Sequence, residues 1–224
     1  FWNYKDVWDF SMSITRIQNA NALTGTIPAD NFANATLDNV TSLPNASLGD
    51  MVFISSATAS SSASIEFTLG DYKEYKFFFV NIHPSIDSVS FQFNLSIDSG
   101  SNYNVTKTTT EFSAYHNEAD TATNLGYNAV NDLAQSTSDQ KLSSSNLGNG
   151  NDESFSGTLQ LFNPSSDAFV KHFISRVSFY HDSNYAIDGF IAGYGNTTNA
   201  IDSVIFRMSS GNIDDGKILM FGLN

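Results

Sequence analysis

Hydrophobic and polar residues alternate most regularly between positions 89 and 97. The odd positions of this stretch hold Val, Phe, Phe, Leu and Ile, and the even positions hold Ser, Gln, Asn and Ser. Because successive side chains of a β-strand point to opposite faces, this period of two predicts a half-buried strand. Residues 98–101 supply turn-forming side chains, and residues 103–106 are predicted to begin a return strand.

Eight further apolar stretches predict strands of similar length. They cover residues 51–54, 65–69, 75–82, 155–162, 173–180, 188–194, 201–208 and 217–221. The stretch 75–82 is apolar on nearly both faces, which is typical of a central strand buried between layers. Nine or ten short strands without a strong helix predict an all-β fold, an antiparallel β-sandwich of jelly-roll-like type.

The pattern is weaker between residues 111 and 153. Residues 129–135 predict a short helical turn, and residues 135–153 read as a long loop rich in Ser, Asn and Gly. At the end of the chain, two apolar runs flank residues 209–216, where Gly211 and Gly216 can supply positive φ. This unit predicts a β-hairpin that closes the domain.

The first 48 residues differ in character from the remainder. Tyr4, Val7, Trp8, Ile14 and Ile17 stand at roughly helical spacing. With Trp2, they fit either an arm packed on its own domain or a docking arm that inserts the rings of Trp2, Tyr4 and Trp8 into a partner. Residues 21–48 keep neither period and suit an extended, fibrous neck. We therefore expect an attachment and oligomerisation arm over 1–48 and a sandwich domain over 49–224.

Charge and composition exclude several classes of function. The net charge is −13, from 23 acidic and 10 basic residues, so the chain repels nucleic-acid phosphates and anionic membranes. Cysteine is absent, so neither disulfides nor thiolate metal sites are available. No apolar run approaches the roughly 18 residues of a membrane-spanning helix, and we expect no membrane insertion.

Residues with chemical potential are present, but their spacing defines no active site. The chain has four histidines, His83, His116, His172 and His181. They lack the short spacing of a metal site, and the neighbours His181 and Asp182 lack a recognisable nucleophile turn. The acidic pairs 152–153 and 214–215 lie in predicted loops, where solvated turn residues are the default and a calcium site is the alternative. We assign no catalytic residue, no metal and no cofactor.

Aromatic side chains in predicted loops are the candidate binding residues. Tyr103, Tyr115 and Tyr127 are expected to point outward, where a tyrosine ring can stack on a sugar while its hydroxyl stays hydrated. The alternative is that these rings lie in strands or at the rim of the sandwich.

Three blocks of the chain resemble bacteriophage virion proteins. Residues 23–44 look like the neck segments of tail-fibre proteins, and residues 55–100 resemble a β-domain of marine and cyanobacterial phage particles. Residues 200–223, with their SSGNI turn and final Phe-Gly-Leu, form the third block. The resemblance implies a sandwich that assembles on a particle, often as a trimer, and it carries over no catalytic residues.

These observations together predict a non-enzymatic virion surface protein of tail-fibre or spike type, assembled in the host cytoplasm. Its expected partners are copies of itself, other tail or capsid proteins and a host-surface glycan, which many weak contacts would hold by avidity. A capsid decoration or cement protein is the first alternative. A tail-associated enzyme that degrades polysaccharide, with two carboxyl groups in a cleft, is the second.

Overall fold

The computed structural model describes residues 51–143 and 146–223. The predicted arm and neck, including Trp2, Tyr4 and Trp8, lie outside these residues. The described chain forms twelve strands and no helix. Within these ranges, accordingly, no helix is long and apolar enough to cross a membrane. The strands are β1 Val52–Thr58, β2 Ile65–Thr68, β3 Glu74–Pro84, β4 Phe91–Ser96, β5 Lys107–Asn117, β6 Thr123–Tyr127, β7 Gln140–Lys141, β8 Phe155–Phe162, β9 Lys171–His181, β10 Tyr185–Gly195, β11 Ser203–Met208 and β12 Ile213–Leu223.

The strands form two antiparallel sheets packed as a sandwich. One sheet has eight strands in the order β1-β12-β3-β8-β9-β10-β5-β6, and the other has four in the order β2-β11-β4-β7. The all-β antiparallel sandwich predicted from the strand pattern is therefore confirmed. Strand β8 has the same bounds as its predicted stretch.

Phenylalanine rings fill the space between the sheets. Phe206 of β11 lies at the centre of this packing, with its ring centroid 5.2 Å from the rings of both Phe77 and Phe79. Phe67 and Phe91 surround it from the neighbouring strands at 6.2 and 5.9 Å. Most of these pairs meet edge to face, the arrangement that the charge distribution of aromatic rings favours. This cluster holds the two sheets together.

Both predicted hairpins are wrong. Strand β11 belongs to the four-stranded sheet, whereas β12 pairs with β1 and β3 in the eight-stranded sheet. Residues 103–106 form no strand, and β5, which follows them, joins the other sheet from β4. In both cases the strands before and after the turn lie in different sheets and contact the same core from opposite sides. A turn signal marks a change of direction, but it does not determine which sheet the chain enters next.

Paired irregularities in β3 and β12 reverse the alternation of both strands. In β3 the buried positions change from odd (Phe77, Phe79) to even (Ile82), and Asn81 at the change has a φ of 50°. Opposite it, Gly216 of β12 has a φ of 111°. A Cβ on Gly216 would lie 2.5 Å from the carbonyl oxygen of Asn81. These bulges let both strands keep apolar side chains in the core along their whole length.

Two predictions about strand burial are wrong. Strand β3 is not buried between layers, because its outward side chains Phe78 and Val80 lie on an open sheet face. Conversely, β4 has no solvated face, since its even residues Asn94 and Ser96 are buried. Residues 131–143 cover that side of the strand, with Asn94 donating to the carbonyl of Thr137.

The weakly patterned region is more ordered than the sequence predicts. It contains most of β5 and all of β6 and β7. The predicted helical turn at 129–135 is wrong, because residues 129–131 form a hydrogen-bonded turn without a helix. The predicted loop at 135–153 includes β7 and pairs with β5 through Ser136 and Lys107. Contacts between distant segments thus replace the missing local pattern.

Candidate functional site

The side of the eight-stranded sheet that faces away from the four-stranded sheet carries the most distinctive surface, and we call it the outer face. Strand registers align two neighbouring rows of side chains across it. The first row contains Phe53, Phe221, Lys76, Gln160, Ile174, Ala192 and Thr110. The second row contains Leu219, Phe78, Thr158, Arg176, Phe190, Phe112 and Tyr127. Each row crosses at least six strands.

One end of the rows is an aromatic cluster on β1, β12 and β3. The ring of Phe221 lies 5.5 Å from Phe53 and 5.4 Å from Phe78, edge to face in both cases. The ammonium group of Lys76 lies 5.4 Å from the centre of the Phe78 ring, in range for a cation–π interaction. These contacts orient the rings, although one side of the cluster is open to solvent.

The other end is a stacked pair on β5 and β10. Phe112 and Phe190 lie 4.8 Å apart with their planes inclined by only 5°. The guanidinium of Arg176 covers Phe190 at 4.8 Å and also binds Asp188 at 3.0 Å. Together with Ile174, these side chains line an open depression of about 370 Å³. The arrangement offers a preformed apolar surface with one oriented cation at its edge.

The outer face concentrates exposed apolar side chains. Eleven large hydrophobic side chains are exposed among the described residues, and six of them lie here at 43–68% exposure. The six are Phe53, Val80, Phe112, Leu125, Tyr127 and Ile174. Singly exposed apolar residues are ordinary, whereas a larger contiguous patch is typical of a surface that contacts another protein, a membrane or a ligand.

The two rows are also free of carboxylates. Their only charged members are Lys76 and Arg176, although the chain as a whole carries a net charge of −13. Carboxylates nevertheless border the rows: Asp188 is paired with Arg176, Glu74 accepts from the Gln160 amide and Asp132 accepts from the Tyr127 hydroxyl. The rows themselves thus present no carboxylate, and the carboxylates at their borders are hydrogen-bonded to row members.

The three tyrosines predicted to point outward from loops lie in separate places in the structure. Tyr103 lies in the connection after β4 and donates to Glu66 at 3.0 Å; desolvation, together with that carboxylate, raises its pKa to about 12. Tyr115 lies in β5 rather than in a loop, and it is half-buried against Tyr185 at 5.3 Å. Tyr127 ends β6 and alone belongs to the outer face.

The histidine and acidic candidates also occupy defined places. His181 Nδ1 lies 2.8 Å from Asp182, but the hydroxyls of Ser88 and Ser183 donate to Asp182 rather than to the imidazole. In a hydrolase triad, the serine hydroxyl is hydrogen-bonded to the histidine imidazole. The acidic pairs 152–153 and 214–215 line an open polar cavity of about 530 Å³ beside His83. Among the described residues, no group of three His, Asp or Glu side chains converges to hold a metal ion.

A buried polar cluster was not indicated by any sequence motif. Lys107 of β5 and Asn94 of β4 are buried, and Lys107 Nζ donates to Asn94 Oδ1 at 2.5 Å. Asn94 Nδ2 donates to Asp139 Oδ1 at 2.8 Å, and Asp139 binds Arg207 at 2.6 and 3.0 Å. Burial lowers the pKa of Lys107 to about 8, although Asp139 partly opposes that shift.

A second buried lysine has a different environment. Lys171 Nζ donates to the backbone carbonyls of Phe169, Thr197 and Thr198, at 2.5, 3.4 and 3.3 Å. Burial lowers its pKa as well. Lys171 therefore anchors two loops through carbonyl oxygens, whereas Lys107 faces a side-chain amide.

Comparison with known proteins finds no matching family model, no matching curated protein and no matching solved structure. The candidate sites are therefore defined by the geometry of the described residues. The fold alone does not indicate a function, because β-sandwich proteins have many different functions.

Proposed function

We propose that this chain is a structural protein of a phage particle surface, whose sandwich assembles with copies of itself through the outer face. The observation that carries the proposal is the concentration of exposed apolar side chains on the outer face, whose two rows contain no carboxylate although the protein is acidic. Its assignment to a phage particle follows from the three resembling blocks of sequence. Attachment to a host surface is the role that such an assembly would serve, by multiplying weak contacts.

Another copy is the favoured occupant of the outer face because of charge. Two chains of net charge −13 repel each other over most of their surfaces. Contact is least opposed where carboxylates are absent, and there the stacked rings of Phe112 and Phe190 supply apolar area to bury. A trimer is the assembly that we expect, as in the fibre proteins that the neck resembles.

The oligomeric state in solution tests the assembly directly. We expect the purified chain to sediment as an oligomer and the variant Ile174→Asp, which places a carboxylate in the first row, to sediment as a monomer. Phe169→Asp is the matched control, because Phe169 is 71% exposed but lies in a connection away from both rows. A monomeric wild-type chain, or equal dissociation by both substitutions, would refute the outer face as the interface.

The location on a particle needs a separate test. Antibodies against the sandwich should label intact particles of the producing phage, and the copy number per particle separates a fibre from a lattice-bound cement protein. Absence of the chain from purified particles would refute the virion assignment without affecting the self-association result. Release of reducing ends from host polysaccharide would instead favour the enzymatic alternative.

A further inference from the structure

The buried cluster of Lys107, Asn94 and Asp139 has the parts needed for a covalent reaction that the proposed function does not require. We propose that Lys107 and Asn94 form an intramolecular isopeptide bond, in which the lysine amine replaces the side-chain amide nitrogen of Asn94 and ammonia leaves. The proposal rests on the position of the amine, the contacts of the amide and the absence of solvent at the site.

The amine lies within attacking distance of the amide carbon. Lys107 Nζ is 2.5 Å from Asn94 Oδ1, and a carbonyl bond is about 1.23 Å long. The nitrogen is therefore no more than about 3.7 Å from Cγ, close to the separation of a near-attack geometry. Both side chains are 0–1% exposed, so bulk water is kept from the reacting atoms. Holding the two groups in place removes most of the entropic cost of their encounter.

The contacts of the Asn94 amide favour attack at its carbon. Its Oδ1 also accepts from the backbone N–H of Leu95 at 2.9 Å, which can stabilise the negative charge that develops on the oxygen. Its Nδ2 donates to Asp139 Oδ1 at 2.8 Å and to the carbonyl of Thr137 at 3.0 Å. The amide is therefore held with its oxygen between two donors, Lys107 Nζ and the Leu95 N–H, and with its leaving nitrogen toward a carboxylate.

The cluster also supplies the amine in its reactive form. A lysine attacks only as a neutral amine, and burial lowers the pKa of Lys107 to about 8. At mildly basic pH, Lys107 is therefore a neutral amine in a large fraction of the molecules. The further hydrogen bond from Nζ to the carbonyl of Val105, at 2.8 Å, holds the amine beside Asn94.

The reaction balances without any other reactant. Lys107 Nζ forms a bond to Cγ, and the carbonyl electron pair moves onto Oδ1, where the Leu95 N–H binds it. Asp139 transfers a proton from the attacking nitrogen to Nδ2. The Cγ–Nδ2 bond then breaks, the carbonyl reforms and one ammonia molecule departs. No electrons are gained or lost by the protein.

The product would join the two sheets covalently. Asn94 belongs to the four-stranded sheet and Lys107 to the eight-stranded sheet, so the new bond ties them at one end of the sandwich. The chain has no cysteine with which to make such a tie by a disulfide. Lys171 cannot undergo the same reaction at its own site, because the oxygens around its amine belong to backbone carbonyls.

The intact mass of the folded protein is the first measurement. We expect it to be lower than the mass calculated from the sequence by about 17 Da, the mass of ammonia. Lys107→Met and Asn94→Ala should restore the calculated mass, and Lys107→Arg should do so while keeping the positive charge. Lys171→Met is the matched control, since it removes the other buried lysine and should keep the loss of ammonia.

Tryptic digestion locates the bond and does not depend on the folding of any variant. Lys76, Lys107 and Lys141 are successive cleavage sites in the sequence. A linked Lys107 is not cleaved, so the wild-type chain should yield one fragment spanning 77–141, whereas an unlinked chain yields 77–107 and 108–141. Asp139→Asn should slow the formation of the uncut fragment.

Two results would overturn the proposal. One is wild-type protein that keeps its full mass and is cleaved at Lys107 after prolonged incubation of the folded chain at mildly basic pH. The other is a loss of ammonia that persists in Lys107→Met, since this would assign the loss to ring closure at another asparagine, such as Asn149 before Gly150.

Discussion

Phenylalanines occupy two contrasting regions of this protein, the core between the sheets and the outer face. Strand β3 contributes to both, because Phe77 and Phe79 point into the core while Phe78 lies between them on the outer face. The inner rings are fully enclosed by the second sheet. The outer rings contact one another and the stem or head of a basic residue, but no second layer of described residues covers them.

Residue type alone therefore does not distinguish a core from an exposed apolar face. Phe206 contacts rings from several strands and is fully buried, whereas the Phe112–Phe190 stack has about the same ring spacing with one partner 43% exposed. Burial on folding stabilises the inner set. The outer set gains that burial only when a partner covers it.

The largest effect is expected from Phe206→Ala. Removing this ring leaves a cavity at the centre of the core and should lower the free energy of unfolding by about 3–5 kcal/mol. Urea denaturation of the purified variant measures the loss. A change of less than about 1 kcal/mol would mean that the core relaxes around the gap and that the inner set is less tightly packed than described.

Lys107 provides a test at the polar end of the core, in protein that has not yet lost ammonia. Its pKa is about 8 in the folded chain, against an ordinary value of 10.5. Between these values the unfolded chain binds more protons, so the free energy of unfolding should rise with pH, by about 3 kcal/mol in all.

Denaturation curves collected across that pH range measure the rise, and mass spectrometry separates unlinked from linked protein. Linked protein should show no such rise, because an amide does not titrate there. Lys107→Met should remove the rise from unlinked protein. A rise of equal size in that variant would assign the effect to another group.

Gly216→Ala tests the bulge in β12, which determines which side chains of that strand face the core and which face outward. A Cβ at this position would clash with the backbone of Asn81, and the φ of 111° is unfavourable for alanine. We expect a loss of about 1–3 kcal/mol in unfolding free energy, measured by urea denaturation.

The matched control for that substitution is Gly126→Ala in β6. Gly126 has no positive φ, and a Cβ there would approach only the side chain of Asn124, at 3.3 Å. A change within about 0.5 kcal/mol is expected, because Gly126 is only half-buried and its strand neighbours Leu125 and Tyr127 are exposed. Equal effects at both glycines would argue against a special role for the bulge.

The smallest effect on folding is expected from Phe112→Ala on the outer face. In the isolated monomer the free energy of unfolding should fall by no more than about 1 kcal/mol, because the ring is only partly buried. The same substitution should weaken self-association, as measured by sedimentation across a concentration series. A loss as large as that of Phe206→Ala would show that the outer rows serve folding rather than assembly.

Local sequence patterns predicted the strands well but not their partners. The alternating stretch 89–97 contains β4, and the predicted stretch 155–162 coincides with β8. The turn at 209–216 predicts a hairpin because local chemistry shows a reversal, whereas pairing depends on hydrogen bonds to strands more than a hundred residues earlier. Asn94 occupies a polar position of the alternating stretch, where a solvated side chain is expected. It is buried instead, because residues 131–143 cover it.

The candidate sites were still less accessible to sequence reasoning. Among the tyrosines proposed from the sequence, only Tyr127 lies on the outer face, while Phe112, Ile174 and Phe190 come together through strand registers. The sequence signal for Arg176 and Lys76 is a basic residue within a largely apolar predicted strand, which indicates a cation on the exposed face of a sheet. Lys107 and Asn94 are thirteen positions apart, and nothing in the intervening turn residues indicates their contact.

The β-strand content, the phenylalanine-rich core, the acidic surface and the lack of cysteine can all be derived from the amino-acid sequence. Those properties follow from side-chain alternation, composition and charge, which are local or additive. The packing of distant strands, by contrast, sets which phenylalanines lie on the outer face, which sheet receives each strand and which lysine meets an amide. These outcomes depend on the register of strands distant in sequence, and a register is a property of pairs of segments rather than of either segment alone.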